Sequence, residues 1–215
     1  MTYQEEIGAT VWPPEKTPFL TNPQYWEREA LFMAFQPEDI DIVCLGDSIT
    51  QKLGWQDVLP CWRVANRGIG SDTTAGMTAR IDSVKALDPA VVSLMAGVND
   101  LGDKSPEETA ESYAVLLDTL AQELPDTSII VTSVLPVATS HPLDNQNVRA
   151  LNQDLAVLCQ ERGLRFLDLY EEFAGENGDL SPKYNLDGVH LTPEGYRLWL
   201  SHLVPALTEV LVDRG

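Results

Sequence analysis

From residue 39 onward, short unbroken apolar runs alternate with longer stretches whose apolar residues recur every three or four positions. The runs DIDIVCLG (39–46), WRVANRG (62–68), PAVVSLMAG (89–97), SIIVTSVLP (128–136) and LRFLDLY (164–170) read as five strands. Helices are predicted around 50–59 and over 73–87, where Met77, Ile81 and Val84 share one face. A third spans 106–124, with Ala110, Tyr113, Leu117, Leu120 and Leu124 in step, and a fourth spans 145–162, with Val148, Leu151, Leu155 and Leu158. The last runs from Pro193 toward Val212, with a bend expected at Pro205. Continuous apolar strands alternating with amphipathic helices predict an α/β fold whose parallel sheet is covered on both faces. Residues 1–37 break this pattern with Pro13, Pro14, Pro18, Pro23 and Pro37. They read as an irregular lead-in whose short helix, within YWEREALFMAF, packs its aromatics on a single domain formed by residues 38–215.

Composition narrows the classes. A 215-residue chain that is 44% hydrophobic and 22% charged suits one soluble domain with a real core. No run of about 18 apolar residues exists to span a membrane. The N-terminal MTYQEEIGATVWPPEK has no basic start followed by an apolar stretch, so the expected location is the cytoplasm. Cys44, Cys61 and Cys159 are odd in number, far apart and in apolar contexts, and are expected to be buried reduced thiols. They lack the CxxC spacing of zinc sites, and no metal or cofactor is expected. The net charge of −19 argues against nucleic acid and anionic membrane partners, which require Lys/Arg clusters.

Parallel sheets bind ligands beyond the carboxyl ends of their strands. Four of the five predicted strands lead there into polar, Gly-containing segments: GDS with Ser48, NRGIGSDTT (66–74), AGVND with Asn99 and Asp100, and NLDGVHLTPEGY with Asp187 and His190. Each segment also has an ordinary structural role. Ser48 can simply open a helix, Asn99 and Asp100 can make a turn, and Asp72 or Thr73 can cap the second helix. Their joint occurrence at one sheet edge favours a shared site.

A serine hydroxyl attacks well only when a base takes its proton. The chain has three histidines, His141, His190 and His202. His190 alone follows a carboxylate closely within a short loop, so Asp187 can fix its tautomer. Acyl transfer also needs donors for a developing oxyanion, which the backbone N–H groups of Ser48 and the GIGS turn and the Asn99 amide can supply. Neither a P-loop nor a GxGxxG helix opening follows the first strand, which counts against nucleotide binding.

These four segments resemble the sequence blocks of the SGNH (GDSL-type) hydrolases, closest to the branch of platelet-activating-factor acetylhydrolase subunits and related bacterial esterases. GDSIT matches the nucleophile block, GVND the third block and DGVHLTPEGY the terminal DxxH block, over roughly residues 38–212. The resemblance implies a flavodoxin-like three-layer α/β/α sandwich with a five-stranded parallel sheet. It implies Ser48 as nucleophile, His190 as base, Asp187 as its partner, and Ser48, Ser71 and Asn99 as oxyanion donors. Ser71 stands where the family usually has glycine, and Gly70 is the alternative if the alignment shifts by one. The implied activity is hydrolysis of small or short-chain acyl esters through an acyl-enzyme. A carbohydrate O-deacetylase, a thioesterase and a silent ligand-binding member are the alternatives. The implied partner is a small-molecule ester, and the oligomeric state is not legible. Substrate choice is expected to involve the 138–147 loop, Trp55 and Trp62.

Overall fold

Strands β1 (Ile42–Gly46), β2 (Val64–Gly68), β3 (Val91–Met95), β4 (Ser128–Thr132) and β5 (Arg165–Leu167) lie side by side in the order β2-β1-β3-β4-β5, all parallel. The computed structural model describes residues 23–212, so residues 1–22 of the lead-in lie outside the described residues. Side chains alternate between the two faces of each strand. Val43, Leu45, Val92, Leu94 and Val131 join one apolar cluster, while Ile42, Cys44, Val91 and Ile130 join another. The long helices α6 (Pro106–Glu123) and α7 (Asn145–Glu161) cover the first face, and α9 (Pro193–Val212) covers the second. This is the three-layer sandwich that the alternating pattern requires. Each large apolar side chain fully buried in it stabilises the fold by roughly 1.5–3 kcal/mol.

Local signals start the helices. Ser105 and Glu108 form a capping box at α6, followed by Pro106 at the first helical position, and Asp144 caps α7 through Gln146 N. Pro205 lies inside α9. No helix among the described residues is long and apolar enough to cross a membrane.

The structure departs from the sequence reading where long-range contacts intervene. The expected helix at 50–59 is two short ones, α2 (Ser48–Lys52) and α3 (Trp55–Val58). The Asn66 side chain on β2 donates to the carbonyls of Thr50, Gln51 and Leu53 at 3.2, 3.1 and 3.0 Å, ending α2. The helix expected at 73–87 also divides, into α4 (Thr74–Ala79) and α5 (Asp82–Lys85), because Arg80 turns inward to an ion pair. The fifth strand is short: Tyr170 belongs to α8 (Tyr170–Phe173). Cys44 and Cys159 are buried, but Cys61 is exposed, on the irregular turn before β2, correcting its expected burial.

The helix within the lead-in, α1 (Pro23–Ala34), packs Tyr25 and Phe32 against Ile69, while Phe35 is 70% exposed. Tyr25 donates to the Gly76 carbonyl at 2.8 Å and Arg28 to the Gly68 carbonyl at 2.7 Å, fastening α1 to the segments after β2.

Candidate active site

In this strand order the chain reverses direction across the sheet between β1 and β3, and a crevice opens where their carboxyl ends diverge. Ser48 lies two residues beyond β1, and Asn99 lies four beyond β3. Gly46 makes the exit from β1 possible. A Cβ there would come within 2.1 Å of Thr50 Oγ1 and 2.6 Å of the Met95 carbonyl oxygen, so only glycine fits. Asp47 then caps α2, its Oδ1 accepting from Ile49 N at 2.9 Å. Ser48 is thus the first helical residue, half-buried, its hydroxyl lifted out of the strand.

The DGVH segment closes on itself to present an imidazole. Asp187 Oδ1 accepts the backbone N–H of His190 at 3.0 Å and that of Val189 at 3.4 Å. Gly188 takes φ +110°, a conformation that strains any side chain. Its carbonyl accepts from Ala138 N at 2.8 Å, tying the loop to the segment after β4. Asp187 Oδ2 lies 2.7 Å from His190 Nδ1, and His190 Nε2 lies 2.8 Å from Ser48 Oγ. A carboxylate at Nδ1 places the ring proton there and leaves Nε2 as an acceptor for the serine proton. Partial burial raises the Asp187 carboxyl, but hydrogen bonds from the His190 N–H and ring and from Val189 outweigh it and hold it at about 2.

The NRGIGSDTT segment forms a tight turn. Asp72 N donates to the Ile69 carbonyl at 3.2 Å, and Ser71 has φ +61°. Positive φ at the third turn position alone is the type II signature, a place where glycine is the usual residue. Gly70 N–H is occupied, donating to Gln51 Oε1 at 2.5 Å, whereas Ser71 N–H has no hydrogen-bond partner among the described residues. The turn borders Ser48: a Cβ at Gly70 would stand 3.9 Å from that of Ser48. Asn99 Nδ2 donates to the Asp72 carbonyl at 2.8 Å, which leaves its second amide hydrogen available.

Beneath these groups lie three buried aspartates. Asp72 pairs with Arg80 at 2.8 Å, both side chains at most 1% exposed, and Arg80 also donates to the Arg67 carbonyl at 2.7 Å. Burial lifts the Asp72 carboxyl to about 6 despite Arg80. Asp100 accepts from Thr74 N at 3.0 Å and Thr74 Oγ1 at 2.6 Å. Asp47 has no cation partner among the described residues; burial, reinforced by Asp72 and Asp100, pushes it up to about 7. The cap of α4 is therefore Thr73, through Gly76 N, while Asp72 serves the ion pair.

Of the other candidate residues, Trp55 is 1% exposed and packs edge-on against Trp199 with ring centroids 5.1 Å apart, so it belongs to the core. Trp62 is half-buried against the same cluster. His141 sits near the rim, its ring accepting from Leu143 N at 3.2 Å, and His202 is on α9. Sequence reasoning missed Gln51 and Arg80, since a polar residue one helical turn past Ser48 carries no local sign of a partner 19 residues on.

A hydroxyl, an imidazole and a carboxylate thus lie in line at the carboxyl edge of a parallel sheet. Residues 44–198 match the GDSL-like Lipase/Acylhydrolase family, and the chain belongs to it. A GDSL-like lipase from Bacteroides thetaiotaomicron is 27% identical with a TM-score of 0.74, over 86% of this chain and 97% of that one. A protein from Bacteroides fragilis assigned as an acylhydrolase is 26% identical with a TM-score of 0.74, over 92% of this chain and all (100%) of that one. A carbohydrate esterase family 3 structure from Talaromyces cellulolyticus shares the fold at 19% identity and a TM-score of 0.65, over 81% of this chain and 99% of that one. No curated protein sequence matches the chain significantly.

Proposed function

We propose that the chain is a serine esterase that cleaves small or short-chain acyl esters through an acyl-enzyme. The observation that carries this reading is the single imidazole held between Ser48 Oγ and Asp187, at 2.8 and 2.7 Å. His190 Nε2 takes the hydroxyl proton as Ser48 Oγ bonds to the ester carbonyl carbon, and the carbonyl electrons move onto oxygen. The N–H groups of Ser48 and Ser71 and the free Asn99 amide hydrogen receive that oxyanion. Collapse of the intermediate expels the alkoxide, which leaves with the proton from His190. Water then attacks the acyl-serine, giving its proton to Nε2, and Ser48 regains it as the acid departs. Asp187 stays charged throughout and stabilises the imidazolium.

The test is hydrolysis of p-nitrophenyl acetate with labelling by an organophosphate. Wild type is expected to turn over and to carry the label on Ser48, and folded Ser48→Ala to do neither. An active Ser48→Ala protein, or a label on another serine, removes this reading.

A further inference from the structure

We infer that Gln51 is a positioning residue that sets the oxyanion turn against the Ser48 helix, an assignment that rests on the serine-esterase reading above. The turn Ile69–Asp72 is held at two points. On one side Gly70 N–H donates to Gln51 Oε1 at 2.5 Å, and on the other the Asp72 carbonyl accepts from Asn99 Nδ2 at 2.8 Å. The residue between these anchors is Ser71, whose N–H has no partner among the described residues.

Gln51 is itself firmly placed. It stands on α2, three residues after Ser48, and Asn66 fixes the end of that helix by donating to its carbonyls, including that of Gln51 at 3.1 Å. The Asn66 Oδ1 accepts from Gly68 N at 2.8 Å, so β2 and α2 are stitched together just below the turn. The distance from nucleophile to oxyanion donor is thereby set by side chains of two elements rather than by the turn alone.

The conformation of Ser71 gives this anchor something to resist. Its φ of +61° is unfavourable for a residue with a Cβ. A type II turn relieves such strain by flipping its central peptide to type I, which makes φ of the third residue negative. Here the central peptide is Gly70–Ser71, so the flip would turn the Ser71 N–H away and bring the Gly70 carbonyl in its place. Gln51 holds the entry to the turn and Asn99 its exit, and together they keep the donor aimed at the crevice.

The experiment compares Gln51→Met, which keeps side-chain length but removes the acceptor, with Gln51→Met/Ser71→Gly, alongside Ser48→Ala, Asn99→Ala and Asn99→Ala/Ser71→Gly. The substrate is p-nitrophenyl acetate, and folding is checked by circular dichroism. Gln51→Ala replaces Gln51→Met if the latter does not fold. Gln51→Met is expected to lower kcat by about 10- to 100-fold with KM little changed, the cost of a donor misplaced by the order of 1 Å. Adding Ser71→Gly is expected to restore most of that loss, because glycine holds positive φ without strain, and to restore only a small part of the loss in Asn99→Ala, which has lost a donor outright as well as an anchor. A kcat at the wild-type level for Gln51→Met, or a loss that Ser71→Gly leaves unrepaired, overturns the inference while leaving the serine reading intact. Full activity in Ser48→Ala overturns the serine reading itself.

Discussion

Ser48 and His190 are 142 residues apart along the chain, and Ser48 Oγ and His190 Nε2 are 2.8 Å apart in the fold. The contact joins the exit of β1 to the loop that precedes α9, on the face where Trp199 packs against Trp55. Those two rings, both 1% exposed, fix α9 and α3 to each other and hence the two halves of the site.

Asp187 and His190 should separate by the size of their effects. With its carboxyl held at about 2, Asp187 is ionised at every pH from 5 to 8, so no change in rate over that range comes from its titration. Asp187→Asn removes the charge and the tautomer control and should lower kcat by about 10²–10⁴. His190→Ala, which removes the base, should cost more. Rates for both variants across pH 5–8 check this, and an unimpaired Asp187→Asn would show that the carboxylate does not set the tautomer.

Ser71→Gly should stabilise the protein on the order of 1 kcal/mol, because φ +61° carries a Cβ penalty that glycine lacks. Its backbone N–H survives the change, so kcat on acetyl esters should be preserved. Ser71→Val should be destabilising, since a branched Cβ tolerates positive φ least. Urea denaturation of the three proteins gives the order directly.

Asp47 predicts a pH dependence of stability. Burial lifts its folded-state carboxyl to about 7, against about 3.9 in an unfolded chain. The folded protein therefore holds a proton that the unfolded chain releases between about pH 4 and 7. This contribution is complete below about pH 4 and is lost as pH rises through about 7. Asp47→Asn keeps an acceptor for Ile49 N and cannot ionise. It should raise Tm relative to wild type at pH 8, with the gap narrowing at pH 5. A gap that is constant or widens on acidification would contradict the assignment.

Arg80→Met should be the most damaging of these changes to stability. It strands the Asp72 carboxylate, which is 0% exposed, at a cost of about 3–5 kcal/mol. Asp72→Asn in the same background should recover part of the loss, because the remaining amide need not carry a buried charge. Chemical denaturation of the single and double variants measures that coupling, and strict additivity would argue against a paired role.

What the sequence by itself determined was the layered α/β class and the extents of the long helices 106–123 and 145–161. Those features rest on periodicity and local caps, which act over a few residues. The tertiary structure decided the rest. It ended α2 early through Asn66, divided the expected 73–87 helix at the Asp72–Arg80 pair, exposed Cys61, and sent Trp55 into the core. It also engaged the Gly70 N–H through Gln51, while the Ser71 N–H has no partner among the described residues. Apart from the exposure of Cys61, these outcomes depend on partners outside the segment concerned, and a hydrogen bond, ion pair or ring contact of that kind leaves no periodic trace in either segment that makes it.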